Sequence, residues 1–189
     1  MAIHLAFAFT GVLAAAAAAQ ENLATWGKSK PIVINTSASG VATTDTLRNF
    51  PLLVRLDSSH AEVFSQAKAG GADLRFRHIP GGSLPYFIDN WDSAGRKAEI
   101  WVSVGEIYPN NATQAIHMLW QKADAPAASN AGAVFSASKG FAGAWHLGGT
   151  VCPRPNSVAG GPAAVCATTV PDSTFTGRSR SGVVGTVVA

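Results

Sequence analysis

The sequence predicts an all-β chain: an antiparallel β-sandwich, jelly-roll-like, with one short helix. Three observations carry this. Residues 50–56, 73–77 and 97–104 alternate apolar with polar side chains, the period of two expected of strands with one buried and one wet face. Pro80-Gly81-Gly82-Ser83 and Asp92-Ser93-Ala94-Gly95 break that pattern with the residue types that reverse a sheet. The charged fraction is 13%, with 19 glycines and 10 prolines, against roughly 25% charge in ordinary soluble proteins. That composition suits short strands and many turns, and 189 residues are enough for one domain with a real core.

Residues 5–19 carry no charge, and Ala17-Ala18-Ala19 places small residues where a signal peptidase reads. The run is shorter than the roughly 20 apolar residues needed to cross a bilayer. Residues 1–19 are therefore expected to be a signal peptide, which places the protein in the periplasm, at the cell surface or secreted, without a membrane span once cleaved.

In 28–36, Ile32 and Ile34 alternate with Pro31 and Val33, and the proline suits a first or edge strand. Polar residues 37–46 form a loop. Residues 50–56 place Phe50, Leu52, Val54 and Leu56 on one face. In 58–70, Ser58 or Ser59 caps a helix of about three turns, with Val63, Phe64 and Ala67 at helical spacing before Gly70-Gly71. The block 71–104 reads as three consecutive antiparallel strands. Residues 115–120 are another strand, 123–133 a connection, and 134–135 with 141–147 the closing strand or pair. From 148 onward periodicity disappears until 183–188, and Gly and Pro dominate. The β-sandwich domain is accordingly placed at 20–147, and 148–189 is read as a Gly/Pro-rich linker.

The formal charge of +3 is no basic stripe. Residues 20–147 hold 11 Lys and Arg against 10 Asp and Glu, so nucleic acid is not an expected partner. Cys152 and Cys166 are expected to form a disulfide, which would close a loop whose entropy alone contributes on the order of 3 kcal/mol. Histidines at 4, 60, 78, 117 and 146 lack the spacing of metal ligands, and neither a metal nor a cofactor is expected.

Asp73, Asp89, Asp92 and Glu99 lie close in sequence, and a glycosidase needs two carboxylates facing each other across a sugar. Asp73 and Glu99 read as wet-face positions and Asp92 as a turn residue. Trp101 interrupts its strand by facing the polar side with Glu99 and Ser103, as a sugar-stacking platform or a contact between layers would require. Trp101, Trp145 and His146 are the candidate binding residues. Asn35-Thr36-Ser37 and Asn111-Ala112-Thr113 match the glycosylation acceptor pattern, which matters only in a eukaryotic host; a bacterial one is expected.

The runs NFPLLVRL (49–56), GADLRF (71–76), LPYFIDNWD (84–92), EIWVSV (99–104), IHMLW (116–120) and AWHL (144–147) resemble, in order and spacing, the motif string of the bacterial domain of unknown function 2341. The resemblance spans roughly 26–147. It implies a β-sandwich module of exported or envelope proteins, often beside a concanavalin A-like (laminin-G-like) lectin domain. Some relatives are grouped with the MotA/TolQ/ExbB proton-channel family. It implies no catalytic residues. Residues 172–189, DSTFTGRSRSGVVGTVVA, are similar to the strand that opens such a lectin domain, so 148–189 would include a truncated start of one. Phe87 stands where relatives usually carry a glutamate, Gln121-Lys122 replaces a Gly-Asn, and the cysteines lie outside the pattern.

The expected function is a non-catalytic exported module that binds a glycan or a surface. An envelope component working with a proton channel, with envelope proteins as partners, and a glycoside hydrolase-like enzyme are the alternatives.

Overall fold

The computed structural model describes residues 21–79, 81–146, 152–165, 170–172 and 179–181. The expected signal peptide, Cys166 and the apolar run at 183–188 lie outside these residues. The alternating runs form strands β1 (Lys28–Val33), β2 (Leu47–Leu56), β3 (Arg75–His78), β4 (Ser83–Leu84), β5 (Tyr86–Asp92), β6 (Lys97–Ile107) and β7 (Ala115–Trp120), with short helices α1 (Ala61–Gln66) and α2 (Ala131–Val134). Near the C-terminus β8 (Val170–Asp172) pairs with β9 (Ser179–Ser181).

Two antiparallel sheets, ordered β1-β7-β3-β4 and β2-β6-β5, enclose one core. Within these two sheets the first strand pairs with the last (β1 with β7) and the second with the next to last (β2 with β6). This is the nesting of a jelly roll, built with fewer strands than the usual eight. Ile100, Val102 and Val104 from β6 and Phe76, Ile116 and Met118 from the opposing sheet are at most 1% exposed. The antiparallel sandwich expected from the alternation is what forms.

Four details differ from the sequence reading. The central block is not one sheet: β3 and β4 lie in one sheet and β5 and β6 in the other, so the chain changes sheet at Pro85. The helix is a single α-helical run of 6 residues between two 3-10 turns; the capping side chain is Asp57, at the start of the first 3-10 turn, whose carboxylate accepts from Ser59 N at 2.9 Å. Ala67, extended at ψ 154°, ends it. Residues 134–135 and 141–147 form no strand over their described part; α2, a 3-10 turn at Ala137–Lys139 and coil occupy this region. Alternation over so few apolar residues cannot tell a strand from a helix turn.

Asp73 is the fourth. Far from facing water, it is 0% exposed, and Arg75 is 4% exposed. The outer face of β3 and β7 is covered by the segment before β1, where Leu23 and Trp26 pack with Leu119 and Ala125. Under that cover the Asp73 carboxylate accepts from the backbone amides of Lys68 at 2.8 Å and Lys122 at 2.9 Å. The Arg75 guanidinium lies 5.3 Å over the Trp26 ring and donates to both Glu21 oxygens, at 2.6 and 2.9 Å. A buried acid saturated by donors and a buried cation paired with a carboxylate are how a sandwich tolerates charge inside.

The outer face of the other sheet is covered as well. Val134, Phe135 and Val158 form a small apolar layer against Phe87 and Trp101. Ser157 N donates to Ala144 O at 2.8 Å, so packing continues past 147, into the stretch read as linker. Cys152 is disulfide-bonded.

Candidate binding site on the outer face

The site begins with an irregularity in β5. Its register against β6 shifts between Ile88 and Asn90, so Asp89 is the extra residue of a β-bulge. Bulges re-aim side chains. Without one, Asn90 would follow Ile88 into the core; with it, Trp91 packs against the core instead and Asp89 leans over the outer face toward β6.

Two donors meet it there. Trp101 Nε1 donates to Asp89 Oδ2 at 3.1 Å, and His146 Nδ1 stands 3.4 Å from the same oxygen. Two of the three sequence candidates therefore converge on a residue that sequence reasoning had weighed only as an acid. The signal for Asp89 was the run Tyr86–Asp92, whose apolar spacing slips by one residue between Ile88 and Trp91. Trp145, the third candidate, turns away: its Nε1 donates to Pro162 O at 3.0 Å.

The His146 ring packs 4.5 Å from Phe87 and 5.3 Å from Phe135, centroid to centroid. Trp101 meets Phe135 edge-on at 5.8 Å. The outward tryptophan thus serves the contact between layers that its odd position allowed. Burial acts to raise the Asp89 carboxyl, but hydrogen bonds from His146 and Trp101, with the charge of His146, outweigh it and hold the group below its ordinary 3.8. The Asp89 and His146 side chains remain 28% and 20% exposed, so the pair lies at the edge of the cover.

Glu99 shares this face. It stands opposite Asn90 in the register, and its Oε2 is buried without a hydrogen-bond partner among the described residues; the same holds for His146 Nε2. On the same face Lys139 Nζ donates to Ser103 Oγ at 2.9 Å, and burial lowers the pKa of that amine. The remaining acids are engaged elsewhere: Asp73 by backbone amides, and Asp92 by Gly95 N at 2.8 Å in the β5–β6 turn. Among the described residues no group of three His, Cys, Asp or Glu side chains is placed to hold a metal ion, and no helix is long and apolar enough to cross a membrane.

Neither the curated proteins nor the solved structures contain a match to this chain. A family model described as "Domain of unknown function (DUF2341)" matches residues 70–148. The stretch runs from the turn before β3 to the segment bearing His146, so it includes every residue of the outer-face site but not β1 and β2. The chain is thus similar to that family over 79 of its 189 residues.

Proposed function

We propose that this domain is a non-catalytic binding module of an exported protein and that it recognises a glycan with the outer face of β5 and β6 around Asp89. The observation that carries this reading is the convergence of Trp101 Nε1 and His146 Nδ1 on one Asp89 oxygen. Those donors orient the carboxylate at the edge of an aromatic layer, where the Asp89 side chain keeps 28% exposure. Sugar hydroxyls both donate and accept, and aromatic rings take the apolar faces of the ring.

The test is a glycan array probed with the full chain and with Asp89→Ala. Retention of a glycan subset by the parent and its loss in the variant is the expected result. A blank array, or equal retention by both proteins, would overturn it. Export rests on residues 1–19, and N-terminal sequencing of protein recovered from an expressing bacterium is expected to begin at Gln20.

A further inference from the structure

A second site lies at the opposite edge of the sandwich and owes nothing to the first. The sheets are ordered with β1 at one edge and β2 at another, and these two edge strands face each other without pairing. Between them runs a cavity of about 530 Å³, lined along most of β1 and β2 and reaching Ile107 and Met118 at its floor. Such a volume is that of a small-molecule site. Val33 and Val41 at its mouth are 59% and 77% exposed, so the apolar lining continues to the surface.

Its charge is one-sided. Lys30, Arg55 and His60 line it, and no acidic residue does. Lys30 and His60 stand at the α1 end: Lys30 Nζ donates to Glu62 of α1 at 3.1 Å, and His60 Nδ1 lies 3.0 Å from Asp57 just after β2. One bond to Glu62 leaves the ammonium two further donors. Lys30 also lies on the same face of β1 as the inward Ile32 and Ile34. The other end is formed by Thr36, Thr43, Leu47 and Ile107. Thr43 Oγ1 there is buried without a partner among the described residues, so this end offers a hydroxyl and no charge.

We infer that this slot binds one long-chain fatty acid, its carboxylate at Lys30 and its chain running between β1 and β2 toward Leu47. From Lys30 along β1 and on to Thr36 the chain reaches at most roughly 20 Å, the extended length of an acyl chain of about 16 carbons. A polypeptide strand is the other occupant such a slot invites, since edge strands present free backbone groups. Each edge strand here carries a proline, Pro31 in β1 and Pro51 in β2, and a residue without an N–H makes a poor template for strand addition. An acyl chain needs no backbone partner.

The experiment titrates palmitate, hexadecanol and an eight-residue polyvaline-type peptide into the full chain, reading stoichiometry by native mass spectrometry and affinity by displacement of a fluorescent fatty acid. The expected result is one palmitate per chain. Lys30→Met weakens palmitate at least tenfold and hexadecanol less than twofold. Leu52→Trp, which fills the slot from β2, abolishes both. Circular dichroism of both variants checks folding, and if Leu52→Trp does not fold, the split between palmitate and hexadecanol in Lys30→Met decides. No palmitate bound by the parent, several bound per chain, equal loss of acid and alcohol in Lys30→Met, or saturable peptide binding without palmitate binding would each overturn the inference.

Discussion

The indole N–H of Trp26 donates to the backbone carbonyl of Asp73 at 2.8 Å, joining the segment before β1 to the turn before β3 across 47 positions of sequence. Asp73 thereby becomes a hub. Its carbonyl holds the N-terminal segment, and its carboxylate holds the amides of Lys68 and Lys122.

Removing that carboxylate leaves two amide donors without acceptors. Asp73→Ala is expected to lose about 2 to 4 kcal/mol of unfolding free energy, and Asp73→Asn about half as much, since the amide keeps one acceptor but turns a donor toward the second amide. Urea denaturation of the three proteins checks this. A loss below about 0.5 kcal/mol, the range of an exposed surface change, would show that Asp73 is not the hub described.

Glu21 and Arg75 form the other fixed point of this cover, with side-chain exposures of 34% and 5%. Glu21→Ala leaves a buried guanidinium without its counter-charge and is expected to cost about 3 kcal/mol. The double variant Glu21→Ala/Arg75→Met removes both charges, so its loss should be smaller than the sum of the two single losses by at least about 1 kcal/mol. Additive losses would show that the pair is not coupled.

Gly70 and Gly71 both have left-handed backbones, φ +67° and +70°, but only at Gly71 would a Cβ collide, 2.8 Å from the Trp91 ring; at Gly70 nothing lies within 4 Å. Alanine at either site meets the left-handed penalty of about 1 to 2 kcal/mol. At Gly71 overpacking adds roughly 1 to 3 kcal/mol. Thermal unfolding of the two variants is therefore expected to rank Gly71→Ala well below Gly70→Ala.

The Asp89 carboxyl titrates below 3.8 in the folded chain. A depressed carboxylate contributes stability that is fully present above the unfolded pKa and disappears as pH falls through the folded one. The stability gap between the parent and Asp89→Asn should therefore be widest near neutral pH and narrow once the pH drops below about 4. Urea midpoints measured at pH 6 and at pH 3 check it, and a gap independent of pH would show that the carboxylate is not stabilised by His146 and Trp101.

What could be read from the sequence was local. The inward set Ala98, Ile100, Val102 and Val104, all at most 1% exposed, follows from alternation on one strand, and the Asp92–Gly95 turn from a side chain that bonds its own backbone three residues on. Trp101 showed itself as an outward aromatic, and His146 as a neighbour in the closing motif. Alternation assigns a residue to a face and says nothing of whether another segment lies over that face. Asp73 and Arg75 are outward and yet buried because Leu23 and Trp26 fold back over them. Asp89 reaches Trp101 and His146 because a one-residue bulge turns it and a segment 57 positions away covers it. The slot between β1 and β2 belongs to neither strand's pattern. Periodicity along a chain is set by the backbone repeat, whereas cover, convergence and cavities depend on which distant segments meet, and only the packed tertiary structure decides that.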